Sequence, residues 1–233
     1  TYTARKTNSG DWYDSYNTAV FLDSAGKPKF YHKSKLVVLV EYLPYPQYLP
    51  FISNLMVNLG GSSGSYGTQE HRTVFTADSK CENDSLKTQN DTVKVKIGSA
   101  ICYESIYGDF YREYVQNGAN VMSIITNDGW WGDTPGYKQH LRYASLRAIE
   151  TRRSIARSAN TGISALIDQR GDIIQQTKWW EPAYLRGNLN LNEKITVFVK
   201  YGDVIGRIAY YSMLLFLGIA ILIRLNIYGK GRR

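Results

Sequence analysis

The residue with the clearest chemical potential is Cys102. An apolar run (Ile97, Ala100, Ile101) breaks abruptly into Cys102-Tyr103-Glu104-Ser105, and Gly108 follows shortly after. This reads as a short buried strand that stops where the chain turns towards a helix. A thiol at such a turn sits near oriented backbone N–H groups, which favour a thiolate and can hold a developing oxyanion. A cysteine nucleophile also needs a base, an oxyanion partner and groups that fix its geometry. The side chains of suitable type are Lys33, Lys35, Glu41, Glu104, His32, His71 and His140. A Cys–His dyad through His140 is one arrangement, although nothing around it resembles a papain-type site. Metal chemistry has little support, since the chain has no H-x-x-x-H or C-x-x-C pairing. No cofactor is expected. The glycine- and serine-rich stretch 59–66 lacks the flanking residues of a phosphate-binding loop and reads as a flexible loop.

Around these residues the chain reads as alternating strands, hairpins and helices. Residues 16–22 and 29–32 form a hairpin across the Asp23-Ser-Ala-Gly-Lys-Pro28 turn. The apolar run 36–40 and Glu41 follow, then a proline-rich loop with a short helix near 51–57. A strand at 74–77 precedes a polar insertion or hairpin tip at 78–91, and 92–101 is the strand that delivers Cys102. A helix over 109–117 ends at Gly118, and 121–125 is a buried strand. Residues 126–136 (TNDGWWGDTPG) form a long loop at its end. Leu141, Ala144, Ala148, Ile149 and Ile155 recur at helical spacing with arginines opposite, which predicts a helix over 137–157. Strands are expected at 163–168 and 172–176, and again at 185–191 and 195–199. Strands alternating with helices imply a mixed sheet system carrying helices on its faces.

The net charge of +8 is uneven: Arg224, Lys230, Arg232 and Arg233 fall in the last ten residues with no acid among them. The rest of the chain is only mildly basic, and no nucleic-acid-binding signature is present, so a nucleic-acid partner is not expected. Cys81 lies in a polar stretch and Cys102 in an apolar one, settings too different to suggest a disulfide. Residues 208–223 carry no charge and are flanked by Arg207 and Arg224. Extended to residue 228 they are long enough to span a bilayer. The expected organisation is a catalytic domain over 1–203, a transmembrane helix over 204–228 and a basic tail over 229–233. The positive-inside tendency puts the tail in the cytoplasm and, in a bacterium, the domain in the periplasm at the inner membrane.

Several motifs together carry a resemblance. Tyr31-His-Lys33, followed by Glu41-Tyr-Leu-Pro44, resembles the lysine motif of the nitrilase superfamily, and Ile101-Cys102-Tyr103-Glu104 resembles its cysteine motif. The narrower match is to the bacterial apolipoprotein N-acyltransferase family. It includes Thr126-Asn-Asp-Gly-Trp-Trp-Gly-Asp133, Gln139-His140, Arg147-Ala-Ile-Glu150, Arg157-Ser-Ala-Asn-Thr-Gly-Ile-Ser164 and the terminal apolar helix. The resemblance implies an α/β fold, a nitrilase-like α-β-β-α sandwich followed by one C-terminal transmembrane helix. It implies Cys102 as nucleophile, Lys33 as catalytic lysine and Glu41 as the family's second essential glutamate. Tyr103 and Glu104 match the pair beside the cysteine, with the Tyr103 N–H joining Lys33 in the oxyanion hole. Trp130 and Trp131 are candidates for lipid contact.

The implied activity is transfer of an acyl chain from a phospholipid, through a thioester, to the N-terminal amine of a diacylglyceryl-lipoprotein; the sequence leaves the oligomeric state open, with a monomer favoured. Two departures accompany it. Val37-Val-Leu-Val-Glu41 stands where the family usually has Val-Pro-Phe-Gly-Glu. The family's general-base glutamate precedes the first hairpin, yet the first glutamate here is Glu41. The resemblance therefore implies the C-terminal portion of a longer enzyme, with that glutamate's strand and several membrane helices upstream. A membrane-tethered nitrilase-type amidase and an inactive lipoprotein-binding domain are the alternatives.

Overall fold

The structure is a computed structural model that describes residues 2–6, 13–23, 25–38, 40–42, 66–80 and 92–230. The expected short helix near 51–57, most of the 59–66 loop, Cys81 and most of the 78–91 insertion lie outside the described residues. Among the described residues nine strands make two sheets. The smaller is antiparallel: β1 (Tyr2–Lys6), β2 (Tyr13–Leu22) and β3 (Pro28–His32), with Thr18 opposite His32. The larger runs in chain order from β4 (Val74–Lys80) and β5 (Thr92–Ile101) through β6 (Val121–Asn127) and β7 (Ile155–Asn160). It ends in β8 (Ala165–Ile167) and β9 (Ile173–Gln176).

Within that sheet β5, β6 and β7 are parallel, and their neighbours β4 and β8 run antiparallel to them. Parallel neighbours require crossovers, and each crossover carries a helix: α1 (Gly108–Gln116) between β5 and β6, α2 (Gly136–Thr151) between β6 and β7. Right-handed crossovers taken twice in one direction put both helices on one face. There Tyr111, Tyr114, Leu141, Ala144 and Ala148 pack with Ala100, Met122, Ile124 and Ile155 in the buried core. Gly98 is part of this fit, since a Cβ there would lie within 3 Å of both the Met122 and Tyr114 side chains. On the other face, β2 approaches β5 across an apolar cavity of about 320 Å³ lined by Phe21, Phe75, Ile97, Val121 and Ile125, among others. The chain thus has the expected α/β, nitrilase-like architecture.

Two local expectations fail. The helix predicted over 137–157 stops at Thr151, where Arg152 turns left-handed at φ 51°. Arg153 then folds inward, donating to the carbonyls of Ala119, Thr151 and Lys194, and Ile155 opens β7 opposite Met122. Periodicity assigned these arginines to a solvated face, yet Arg153 and Arg157 are buried. The strands expected at 185–191 and 195–199 are absent. Residues 185–196 have no regular structure and are held by bonds such as Asn192 N–H to the Asn120 carbonyl. Helix α3 (Val197–Tyr201) follows, capped by Thr196, whose hydroxyl accepts from Val199 N–H and donates to the Glu150 carbonyl. Helix α4 (Val204–Lys230) closes the chain. Its stretch Val204–Arg224 is long and apolar enough to cross a membrane, and none of its most apolar part is buried among the described residues.

Candidate active site

The carboxyl ends of β5, β6 and β7 lie side by side, and the candidate residues gather there, where open α/β sheets usually build their sites. Cys102 is the first residue past β5 and opens a 3-10 segment, Cys102–Ile106. It is unpaired and half-buried, and its φ of 54° lies in the left-handed region. A side-chain-bearing residue there costs about 1–2 kcal/mol and persists only when its surroundings hold it. Glu104 does part of that holding. Its Oε2 accepts from the N–H of Ile101, the residue just before Cys102, at 2.8 Å.

The other Glu104 oxygen reaches the lysine loop. Oε1 accepts from the N–H groups of Ser34 (2.7 Å) and Lys35 (3.1 Å) and from the Tyr31 hydroxyl (2.8 Å). One buried carboxylate therefore ties the residue after Lys33 to the residue before Cys102. Burial pushes this carboxyl above its ordinary range, opposed by the donors from Ile101, Ser34, Tyr31 and Lys35. Burial, with Glu104's charge, drives the Tyr31 phenol well up, so that it stays a donor. Glu104→Leu would strand three backbone N–H groups, each costing about 1–3 kcal/mol when buried without a partner. The expected thermal midpoint falls by roughly 10 °C, with a smaller drop for Glu104→Gln, measured by circular dichroism in detergent micelles.

Lys33 continues from β3, its N–H bonded to the Asn17 carbonyl at 2.7 Å. Its side chain is 1% exposed, and Nζ sits 2.6 Å from Glu41 Oε2. Glu41 is fixed in turn by the Val37 N–H on Oε2 (2.9 Å) and Asn17 Nδ2 on Oε1 (2.9 Å). The eight-residue spacing closes a tight turn in which the N–H groups of Glu41 and Tyr42 return to the Val37 carbonyl. Of the two lysines in this loop only Lys33 is turned inward; Lys35 is exposed, with its ammonium 6.0 Å from the Tyr107 ring centroid.

Tyr103 is half-buried, its ring near those of Tyr107, Trp131 and His140. Trp130 is 53% and Trp131 36% exposed, on the 3-10 segment Asp128–Trp131 after β6. His71 is far out on the surface, and His32 pairs with Thr18 Oγ1 at 2.9 Å. His140 does come to the site, but the cysteine contact recorded for its ring is to the Cys102 backbone carbonyl, with Nε2 at 3.2 Å. Among the described residues no three acidic, histidine or cysteine side chains are grouped to hold a metal ion. Sequence reasoning missed the buried cluster beside the Cys102 turn, formed by Asp128, His140 and Arg157. Its members lie in motifs that the resemblance picked out without giving them a role.

A cysteine at the end of β5, a buried lysine–glutamate pair in the loop after β3 and a second buried glutamate joining the two define a class. The chain belongs to the carbon-nitrogen hydrolase family, whose sequence model matches residues 2–195. Within that class it is similar to the apolipoprotein N-acyltransferase of Chlorobaculum tepidum, 34% identical over 198 residues, covering 84% of this chain and 35% of that protein. The same enzyme of Geobacter metallireducens is 34% identical over 172 residues, covering 74% of this chain and 29% of that one. That of Bdellovibrio bacteriovorus is 31% identical over 193 residues, covering 81% and 32%. The chain spans about a third of the length of these curated relatives. Among solved structures, Saccharomyces cerevisiae Nit3 aligns with a TM-score of 0.49 at 16% identity, covering 78% of this chain and 55% of that one. An amidase from Nesterenkonia aligns at 0.47 and 15%, covering 73% and 53%.

Proposed function

We propose that this chain carries the acyl-transfer site of an enzyme that N-acylates bacterial lipoproteins. The observation that carries the reading is the Glu104 carboxylate, which binds the Cys102 strand end and the Lys33 loop to one another. In the first half-reaction the Cys102 thiolate attacks an ester carbonyl of a phospholipid. A C–S bond forms, the C–O bond breaks, and the thiol proton passes through a general base to the departing lysophospholipid alkoxide. Lys33 and the Tyr103 N–H stabilise the oxyanion, and Glu41 keeps the lysine oriented. In the second, the α-amine of a diacylglyceryl-cysteine attacks the thioester. The new C–N bond replaces C–S, and the amine's proton restores the thiol.

Helix α4 spans the membrane in this reading, with residues 1–203 on the periplasmic side and the basic tail in the cytoplasm. The exposed Trp130 and Trp131 contact lipid and help keep water from the thioester. The chain acts as a monomer. Whether amine or water discharges the thioester separates transfer from the hydrolysis that the family name denotes. The full-length enzyme in micelles should form an acyl-thioester with phospholipid that decays slowly alone. It should discharge at least about tenfold faster on adding a diacylglyceryl-peptide, with the chain recovered on the peptide amine. Release as free fatty acid at one rate, with or without the peptide, would show a hydrolase instead.

A further inference from the structure

Directly beneath the nucleophile's turn lies a buried group of charges that the chemistry above does not use. Asp128, at the start of the 3-10 segment after β6, is fully buried. Its Oδ1 accepts from the Thr126 hydroxyl (3.0 Å) and lies 2.9 Å from His140 Nδ1, and its Oδ2 accepts from Arg157 Nη2 at 2.7 Å. Arg157, on β7, also donates to the Ile163 carbonyl, and its Nη2 stands 3.3 Å from His140 Nδ1. Burial pushes the Asp128 carboxyl up, but the His140 hydrogen bond and the Arg157 guanidinium outweigh it and hold the group below the usual carboxylate range. Gly162 permits this packing, since a Cβ there would lie 2.5 Å from Asp128 Oδ2.

The far side of the imidazole faces the nucleophile's own backbone. His140 Nε2 is 3.2 Å from the Cys102 carbonyl and 3.1 Å from Ser105 Oγ, and that hydroxyl itself donates to the same carbonyl at 2.9 Å. The polar and titratable groups facing the ring are thus Asp128 and Arg157 on its Nδ1 side, the Cys102 carbonyl and the Ser105 hydroxyl on its Nε2 side, and the Tyr103 ring 6.3 Å away.

We propose that His140 is a positioning residue: held by Asp128, it clamps the Cys102 carbonyl and the Ser105 hydroxyl and so holds the left-handed turn that aims the thiol. This rests on the reading of Cys102 as nucleophile but on no particular acyl donor or acceptor. A pinned carbonyl removes backbone freedom where φ is unfavourable.

The test is the rate of Cys102 alkylation by iodoacetamide against pH, on the whole protein in detergent micelles. The Cys102 peptide is quantified by mass spectrometry so that Cys81 does not contribute. His140→Leu should react about tenfold more slowly than wild type at pH 7 and stay slower at pH 10, since a loosened turn misplaces the sulfur whatever its charge. His140→Gln keeps a donor for the carbonyl and should recover most of the wild-type rate. Should the leucine variant fail to fold, His140→Phe, which fills the ring's volume without a donor, takes its place. A donorless variant whose profile superimposes on wild type would overturn the proposal, as would a His140→Gln rate no better than that of the donorless variant. Alkylation needs no lipid, so these profiles decide the point even if the wild type takes up no acyl chain. If it does take one up, His140→Leu should lower kcat and leave KM for phospholipid near wild type.

Discussion

Cys102→Ala is expected to leave the protein without any covalently bound acyl chain after incubation with phospholipid, while the fold survives. The two halves of that expectation come from different features. The half-buried thiol is the smallest part of its environment, so removing one sulfur leaves little void and disturbs few contacts. The left-handed backbone at φ 54° is no worse for alanine than for cysteine. Its restraints also survive: Glu104 holds the Ile101 N–H, and Ser105 and His140 bond the Cys102 carbonyl, a main-chain atom alanine retains. Melting should stay within a few degrees of wild type. Covalent turnover, in contrast, has no second route, and loss of a nucleophile costs on the order of 10⁴-fold or more. Intact-mass spectrometry reads both states at once. Persistent acylation of the alanine variant would remove Cys102 from its assigned role.

How much of this was readable in the chain differs from residue to residue. Strand β5 was found with its ends correct because its Val-Lys-Val-Lys-Ile alternation and its break at Cys102 are local signals. The β2–β3 hairpin was found because the Asp23–Pro28 turn is local too, and Asp23 Oδ1 accepts from the Ala25 and Lys27 N–H groups. Helix α2 overran because its stop is made by tertiary structure. Arg152 reverses the backbone, and the Arg153 guanidinium finds carbonyls on three separate stretches of chain. No window of neighbours contains that information. Strand β1 escaped notice for a similar reason, as its polar sequence gains strand geometry by pairing with Tyr13–Asn17 of β2. The site divides the same way. The Lys33–Glu41 pair is eight residues apart and belongs to a recognisable motif, whereas Asp128, His140 and Arg157 meet only when β6, α2 and β7 assemble. Buried charges look like surface charges until the partner that neutralises them is in place.

Lys33→Met separates structural from chemical cost at the site and should be severe on both counts. Methionine fills similar volume but leaves the Glu41 carboxylate, 8% exposed, without the ammonium 2.6 Å away. Asn17 Nδ2 and the Val37 N–H still bond it, yet they do not balance its charge. Breaking one side of a buried pair costs about 3–5 kcal/mol, and the mirror variant Glu41→Leu should cost a similar amount by stranding the lysine. The double variant Lys33→Met/Glu41→Leu removes both charges and presents apolar groups to one another, so most of the lost stability should return. Its activity should not return. If Lys33 supplies half of the oxyanion hole, acyl-enzyme formation stays down by about 10²–10³-fold in the double variant, with the protein folded. Urea unfolding gives the first comparison and the single-turnover acylation rate gives the second. Should the double variant regain both stability and acylation, the lysine would be a prop for the loop and the oxyanion would need another donor.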